Sequence, residues 1–142
     1  LLVCNVAAAE TAELQTVTKA GSNATVQATL KILQVQRVTS LFSANSPSKT
    51  YAAVVSFTPG ARTNWHIHST GQSLIVTEGF GYTQEWGREI VVLYRATLSG
   101  AAGRQTLARG FFQYIDAHIA VSEVSDKGVT WLEPVTDRQY PK

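Results

Sequence analysis

The sequence contains little charge and little sulphur. Only 15% of its 142 residues are charged, there is a single cysteine, Cys4, and there is no methionine. One cysteine cannot form an internal disulfide. The charged fraction is well below the ~25% of an average globular chain. Because 44% of the residues are apolar, this composition excludes a disordered chain and favours a sheet-rich protein.

Two kinds of segment that would indicate macromolecular or membrane partners are missing. The 12 basic and 10 acidic residues give a net charge of +2, but they form no run of Lys or Arg that could follow a phosphate backbone. No apolar run approaches the ~20 residues of a membrane-spanning helix. The length predicts one domain. We therefore expect neither nucleic acid nor a membrane as a partner.

The first nine residues, LLVCNVAAA, are apolar and end in three alanines before a polar stretch. This pattern is typical of the end of a secretory signal peptide and its cleavage site. We therefore interpret residues 1–9 as a signal-peptide remnant and residues 10–142 as the folded domain, and we expect a periplasmic or secreted protein. The alternative is an ordinary edge strand in a cytoplasmic protein.

Short runs rich in β-branched and aromatic residues alternate with turn residues along the middle of the chain. Runs of about five residues at this spacing predict an all-β sandwich or barrel. The predicted strands cover residues 38–42, 51–57, 72–77, 81–84, 89–93 and 118–124. Clusters such as Thr58-Pro59-Gly60 and Ser69-Thr70-Gly71 supply the turns between them.

Two histidines are spaced two residues apart at His66 and His68. Side chains alternate along a strand, so both imidazoles project from the same face and could form half of a metal site. Gln72 follows after a short turn, close enough for its amide oxygen to contribute a third ligand. Neutral nitrogen and oxygen donors suit Mn, Fe, Ni, Co or Zn. The alternative is a pair of surface histidines without a ligand.

The spacing around these histidines resembles the first conserved motif of the cupins. Gly60 is followed by five residues, His66-Ile67-His68, three residues, Gln72, six residues and Gly79. Most cupins have Glu where this chain has Gln72. The flanking segments and residues 131–137 are similar to small single-domain bacterial cupins that include the manganese-dependent hydroxynitrile lyases.

This resemblance covers about residues 16–140 and implies a single-domain cupin, an antiparallel β-barrel or jelly roll. It also implies a divalent metal, with Mn favoured, held by His66, His68 and Gln72. The resemblance further implies a small-molecule substrate as the partner and a homo-oligomer, either a dimer or a tetramer, as the assembly.

A third histidine, His118, lies in a predicted strand. Alternation along this strand places Ala120 and Ser122 on the same side as His118. In the lyase-like cupins a histidine at this place handles the proton of the substrate hydroxyl, so the resemblance implies a catalytic His118. Together with Ala120 and Ser122, Ala53 and Val55 on an earlier strand would shape the substrate pocket. The alternative is an interior histidine that only makes hydrogen bonds.

The second cupin motif, which should carry the last metal histidine, is absent between Leu93 and His118. Residues 101–109 (AAGRQTLAR) can be encoded by codons that, read one nucleotide later, give Pro-Pro-Gly-Val-Lys-His-Trp-His-Gly. That sequence resembles the missing motif. Codons for residues 30–35, read in a shifted frame, likewise give a sequence similar to the one these cupins have there. We therefore hypothesise frame errors in the windows 94–115 and about 25–35. The alternative is a divergent cupin with Thr106 near the place of the fourth ligand.

Three functions remain open at this point. The favoured one is a metal-dependent lyase of hydroxynitrile-lyase type, with the metal as Lewis acid and His118 as acid and base. A metal-dependent dioxygenase would need Fe and consume oxygen. A non-catalytic cupin would only hold a small ligand in its barrel. A fold does not choose between these reactions.

Overall fold

The fold is described by a computed structural model over residues 25–27, 32–33, 36–95, 97–110 and 116–139. The predicted signal-peptide remnant, residues 1–9, lies outside these described residues. The strands are β1 (Thr25–Gln27), β2 (Ile32–Leu33), β3 (Gln36–Phe42), β4 (Thr50–Phe57), β5 (Arg62–Thr63), β6 (His66–His68), β7 (Gln72–Glu78), β8 (Phe80–Glu85), β9 (Ile90–Tyr94), β10 (Thr97–Gly100), β11 (Gln105–Gly110), β12 (Asp116–Glu123) and β13 (Val129–Trp131). A short 3-10 helix, Asp137–Gln139, follows.

The strands form two antiparallel sheets. The first has six strands in the order β1-β3-β4-β12-β7-β10. The second has seven, with β13-β6-β11-β5-β2 on one path and β8 bridging β11 to β9. Nearly every described element is a strand, so the predicted all-β barrel is confirmed. No helix among the described residues is long and apolar enough to cross a membrane.

All six predicted strands coincide with observed ones, β3, β4, β7, β8, β9 and β12. The sequence did not single out β10 and β11, which lie in the window where the second cupin motif is missing. In β10, Leu98 is half-buried between the exposed Thr97 and Ser99, so this strand still alternates. The hypothesis of a shifted reading frame stays a prediction that resequencing of the gene tests.

The larger core cluster lies between the two sheets. Val55, Phe57, Leu74 and Ala120 come from the first sheet and Leu93 from the second. Burial of such apolar side chains stabilises the fold by about 25 cal/mol for each Å² removed from water.

A smaller cluster joins the end of the chain to the second sheet. Trp65 is 2% exposed and packs with Val135, and the backbone N–H of Trp65 donates to the carbonyl of Glu133 at 3.0 Å. The Arg62 guanidinium is 2.6 Å from the Asp137 carboxylate. The closing segment therefore packs along the second sheet beside β6.

The chain crosses from the second sheet to the first in three residues, between β6 and β7. Gly71 has a φ of +80°, and its N–H donates to the carbonyl of His68 at 3.2 Å. A Cβ atom at this position would lie 2.5 Å from the carbonyl oxygen of Gly100. Both the turn and the close approach of backbone therefore require glycine here.

We expect Gly71→Ala to destabilise the fold far more than Gly87→Ala. Both glycines have positive φ, which costs a non-glycine residue roughly 1–2 kcal/mol, but a Cβ at Gly87 meets nothing within 4 Å. In Gly71→Ala, the clash with Gly100 should lower the free energy of unfolding by a further ~1–3 kcal/mol. Urea unfolding of both variants measures the difference, and equal losses would contradict the close approach.

Candidate metal centre

The two predicted ligand histidines lie on β6, which pairs with β11 on one side and β13 on the other. Their ring centroids are 5.0 Å apart and the ring planes are 82° to each other. His66 is 6% exposed and His68 is half-buried. The alternation expected of a strand therefore brings both imidazoles to one face.

A backbone hydrogen bond fixes the orientation of the His66 ring. Its Nδ1 lies 2.9 Å from the carbonyl oxygen of Asn64. A carbonyl can only accept, so Nδ1 carries the proton and Nε2 keeps the lone pair. Metal-binding histidines commonly donate their other ring N–H in this way. The Trp131 ring, whose centroid is 4.9 Å away, packs against the same imidazole.

Both histidines are held in the neutral form. Burial lowers the pKa of His66, although its hydrogen bond to Asn64 opposes this. Burial, and then the neighbouring His66, lower the pKa of His68 to about 4. At neutral pH both rings therefore present lone pairs without first having to lose a proton, which is what metal binding requires.

Gln72 begins β7, immediately after the crossing turn. Its Nε2 donates to the hydroxyl of Ser122 on β12, at 3.3 Å. Ser122 is 6% exposed and belongs to the buried face of β12, as predicted. Because the amide nitrogen is engaged by Ser122, the amide oxygen is the atom that Gln72 can offer to an ion.

The three side chains line one small cavity, which we call the histidine cavity. Its volume is about 30 Å³, enough for a water-sized particle or an ion. Other residues that line it are Leu74, Thr83, Leu98, Arg104 and Thr106. Among the described residues, no group of three or more His, Cys, Asp or Glu side chains is placed to hold a metal ion. The candidate ligands that this part of the chain offers here are therefore two imidazoles and an amide oxygen, a set that fits a divalent metal of the Mn to Zn series.

Thr106 lies where the sequence placed the missing fourth ligand. On β11 it pairs directly with His66 on one side and with Glu85 of β8 on the other. Its side chain lines the histidine cavity, but a neutral hydroxyl is a weak ligand beside imidazole. Arg104, two residues earlier, also lines the cavity and is 3.4 Å from the Glu85 carboxylate.

His118 is buried on the inner face of the first sheet, 5% exposed. It pairs with Val55 of β4 and Val76 of β7, and its ring centroid is 5.8 Å from that of Phe57. It is not among the described residues that line the histidine cavity. Its proposed proximity to a metal stays a prediction.

The predicted pocket residues share this inner face. Strand register places Val55 beside His118 and Ala53 beside Ala120. Val55 and Ala120 are buried, and Ala53 is half-buried. Sequence reasoning missed Thr83, which is 7% exposed and lines the histidine cavity from β8. Only the pairing of β8 with β11 shows that Thr83 reaches this site.

Two facing antiparallel sheets, with paired histidines and an amide directed between them, define the class of this protein as a cupin barrel. No family model matches the sequence. The chain is 36% identical over 115 residues to the (R)-mandelonitrile lyase of Granulicella tundricola. The matched region covers 73% of this chain and 81% of that relative. This chain therefore belongs to the cupin family and resembles its hydroxynitrile lyases.

Solved structures agree with this assignment. A cupin-like protein from Thermotoga maritima superimposes with a TM-score of 0.75 and 29% identity, over 89% of this chain and 95% of that one. A cupin-2 domain protein from Rhodospirillum rubrum gives a TM-score of 0.70 at 11% identity, over 89% and 84% of the two chains. The second likeness shows the fold alone.

We expect the metal-free protein to become less stable as the pH is lowered from about 6.5 to about 4. The pKa of His68 is lowered to about 4 in the folded chain, whereas an unfolded histidine titrates near ~6.5. The unfolded chain therefore binds more protons across this window, so the contribution is complete above the unfolded pKa and is lost as the pH falls. Urea unfolding across the window measures this, and His68→Gln should flatten the profile. A wild-type profile no steeper than that of the variant would contradict it.

We expect Thr106→His to tighten metal binding, because it places a third imidazole directly beside His66. An added ligand worth about 1.4 kcal/mol lowers the dissociation constant roughly tenfold. Titration calorimetry with Mn²⁺ or Zn²⁺ measures this. Thr97→His is the matched control, since Thr97 is exposed on β10 and does not line the cavity. Equal affinities in the two variants, or binding that survives in His66→Ala/His68→Ala, would contradict the assignment.

Proposed function

We propose that this chain is a metal-dependent lyase of the hydroxynitrile-lyase type, which cleaves a cyanohydrin into a carbonyl compound and hydrogen cyanide, or forms it. One observation carries the proposal: His66, His68 and Gln72 converge on one cavity. They do so in a chain 36% identical to an (R)-mandelonitrile lyase. A mandelonitrile-like cyanohydrin is therefore the substrate to test first.

The metal ligands in this proposal are Nε2 of His66, a ring nitrogen of His68 and the amide oxygen of Gln72. When bound, a divalent metal supplies Lewis-acid chemistry toward the substrate oxygen. The resemblance favours Mn. The hydrogen bonds from His66 to Asn64 and from Gln72 to Ser122 hold two of these ligands in orientation, which supports affinity in known metal sites.

His118 handles the proton in this proposal. It accepts the hydroxyl proton of the cyanohydrin while the oxygen lone pair forms the carbonyl bond. The electron pair of the bond between carbon and cyanide leaves with cyanide. Cyanide then takes the same proton from His118 and departs as hydrogen cyanide, which returns His118 to its starting form. Imidazole suits this role because it exchanges protons near neutral pH. Its burial on the inner face, beside Val55, supports a role inside the barrel.

The reaction is tested by incubating metal-loaded protein with mandelonitrile and following benzaldehyde by its absorbance. Omission of metal, or the His66→Ala/His68→Ala variant, should abolish turnover. Oxygen uptake is measured in parallel, because a dioxygenase would consume oxygen and a lyase would not. A fully metal-loaded protein that binds cyanohydrins without turning them over would overturn the lyase proposal in favour of a binding protein.

We expect His118→Ala to lose turnover while it retains metal. Removing a general acid-base group lowers the rate by roughly 10²–10⁴-fold, while none of the three proposed ligands is changed. Steady-state rates with mandelonitrile and metal content by elemental analysis measure the two effects. Unchanged turnover would make His118 a structural residue. Loss of metal together with activity would make it part of the metal site.

A further inference from the structure

The strand β9 (Ile90–Tyr94) forms an exposed apolar edge of the second sheet. In the part of the chain that the structure describes, β9 pairs with β8 on one side and with no strand on the other. We call this free side the β9 edge. Four of its five side chains are exposed by more than a third, namely Ile90 (37%), Val91 (48%), Val92 (56%) and Tyr94 (57%).

The β9 edge lacks the devices that usually protect a free strand edge, which are a charged side chain, a proline or a bulge. It contains neither a charge nor a proline, and its pairing with β8 is regular from Ile90 to Tyr94. Its outer face is apolar as well, since the Tyr94 ring packs against Phe80 of β8 with centroids 5.8 Å apart. Exposed apolar surface of this kind marks contact sites between proteins. The β9 edge is therefore suited to pair with another apolar strand.

Charges of opposite sign flank this apolar strand. The exposed Glu89 precedes it and the exposed Arg95 follows it. The Arg95 guanidinium lies over the Tyr94 ring, 5.6 Å from its centroid. An antiparallel strand of the same sequence runs in the opposite direction, so its Arg95 end would meet the Glu89 end of the first. A second copy of this chain is therefore complementary to the β9 edge in charge as well as in apolar character.

The pleat of the strand restricts how two copies of β9 can pair. Residues opposite each other in an antiparallel sheet project from the same face. Leu93 is 7% exposed and belongs to the core. A two-fold axis that keeps Leu93 on the inner side of both copies must therefore be centred on a residue and not between two residues. Only an axis centred on Val92 places Glu89 opposite Arg95 of the partner subunit.

We propose that the β9 edge is an interface between two copies of this chain. The two β9 strands pair antiparallel around Val92 and join the second sheets of both copies into one. Ile90 then lies opposite the partner's Tyr94, and Glu89 and Arg95 pair at each end. Exposed ion pairs add little affinity, so apolar contacts and backbone hydrogen bonds hold the copies together while the charges set the register. The proposal is independent of the reaction that the protein catalyses.

The centre of the interface is tested with Val92→Glu, which places two carboxylates against each other at the two-fold axis. Val124→Glu is the matched control, since Val124 is 53% exposed but follows β12 in the first sheet. In analytical ultracentrifugation, Val92→Glu should dissociate at least about tenfold more readily than the wild type or the control. Thermal unfolding checks that both variants are folded. A monomeric wild type, or equal association of the two variants, would overturn the proposal.

The register is tested by charge reversal. Glu89→Arg and Arg95→Glu each place like charges opposite one another at both ends, so each variant alone should associate about tenfold more weakly at low ionic strength. An equal mixture of the two should associate again, because every like pair becomes an opposite pair. Asp126→Arg, in an exposed turn before β13, is the control and should associate like the wild type. A mixture that associates no better than its components would contradict the pairing around Val92.

Amide hydrogen exchange distinguishes strand pairing from contact between outer faces alone. In strand pairing, the β9 N–H groups that point away from β8 become hydrogen-bonded, so exchange across residues 90–94 should slow as the protein concentration rises. The Val92→Glu variant should lose this concentration dependence, and Val124→Glu should keep it. Exchange in β9 that is the same at all concentrations of the wild type would overturn the proposed pairing.

Discussion

The crossing turn between β6 and β7 is the constraint on which the site depends. The candidate metal ligands come from opposite sheets, His66 and His68 from the second and Gln72 from the first. The carbonyl of His68 accepts hydrogen bonds from the N–H groups of both Gly71 and Gly103, at 3.2 and 2.9 Å. Backbone packed this closely leaves no room for a Cβ at Gly71. The turn therefore fixes the separation of the two sheets at the point where the histidine cavity forms.

The candidate ligands of the site are neutral, and the nearby cation Arg104 is paired with Glu85. Burial keeps His66 and His68 uncharged, and Gln72 provides an amide where a carboxylate would bring a negative charge. A dication held by these residues would keep its charge largely uncompensated, which strengthens its pull on a substrate oxygen. The same lack of negative charge weakens the hold on the metal. Thr106, opposite His66, is the position at which the chain could strengthen it.

Three cavities among the described residues differ in the side chains that line them. The histidine cavity is small and holds the candidate ligands, whereas a cavity of about 410 Å³ where β3 and β4 meet has no charged side chain among its described lining residues. A third cavity, of about 200 Å³, is lined by Tyr51 and His68 among others. Cupins host many reactions on one fold. The side chains that line the cavities, more than the barrel, therefore distinguish one cupin from another.

The sequence by itself determined the fold class and the strand faces on which the candidate site residues lie. Alternation along short strands is a local property, so the shared face of His66 and His68 and the buried face of His118, Ala120 and Ser122 could be read from neighbouring residues. The spacing from Gly60 to Gly79 pointed to the cupin motif for the same reason. Strands β10 and β11 were missed because their residues carry little of the apolar pattern that identifies a strand.

Only the tertiary structure decided which distant side chains meet. The partners of Gln72 and His66 on neighbouring strands, Ser122 and Thr106, are separated from them by 50 and 40 residues along the chain. Such contacts depend on strand order and register within each sheet, which no local pattern sets. The placing of Thr83 in the histidine cavity, through the pairing of β8 with β11, has the same origin. Periodicity determines the face on which a side chain lies, and strand pairing determines what lies beside it.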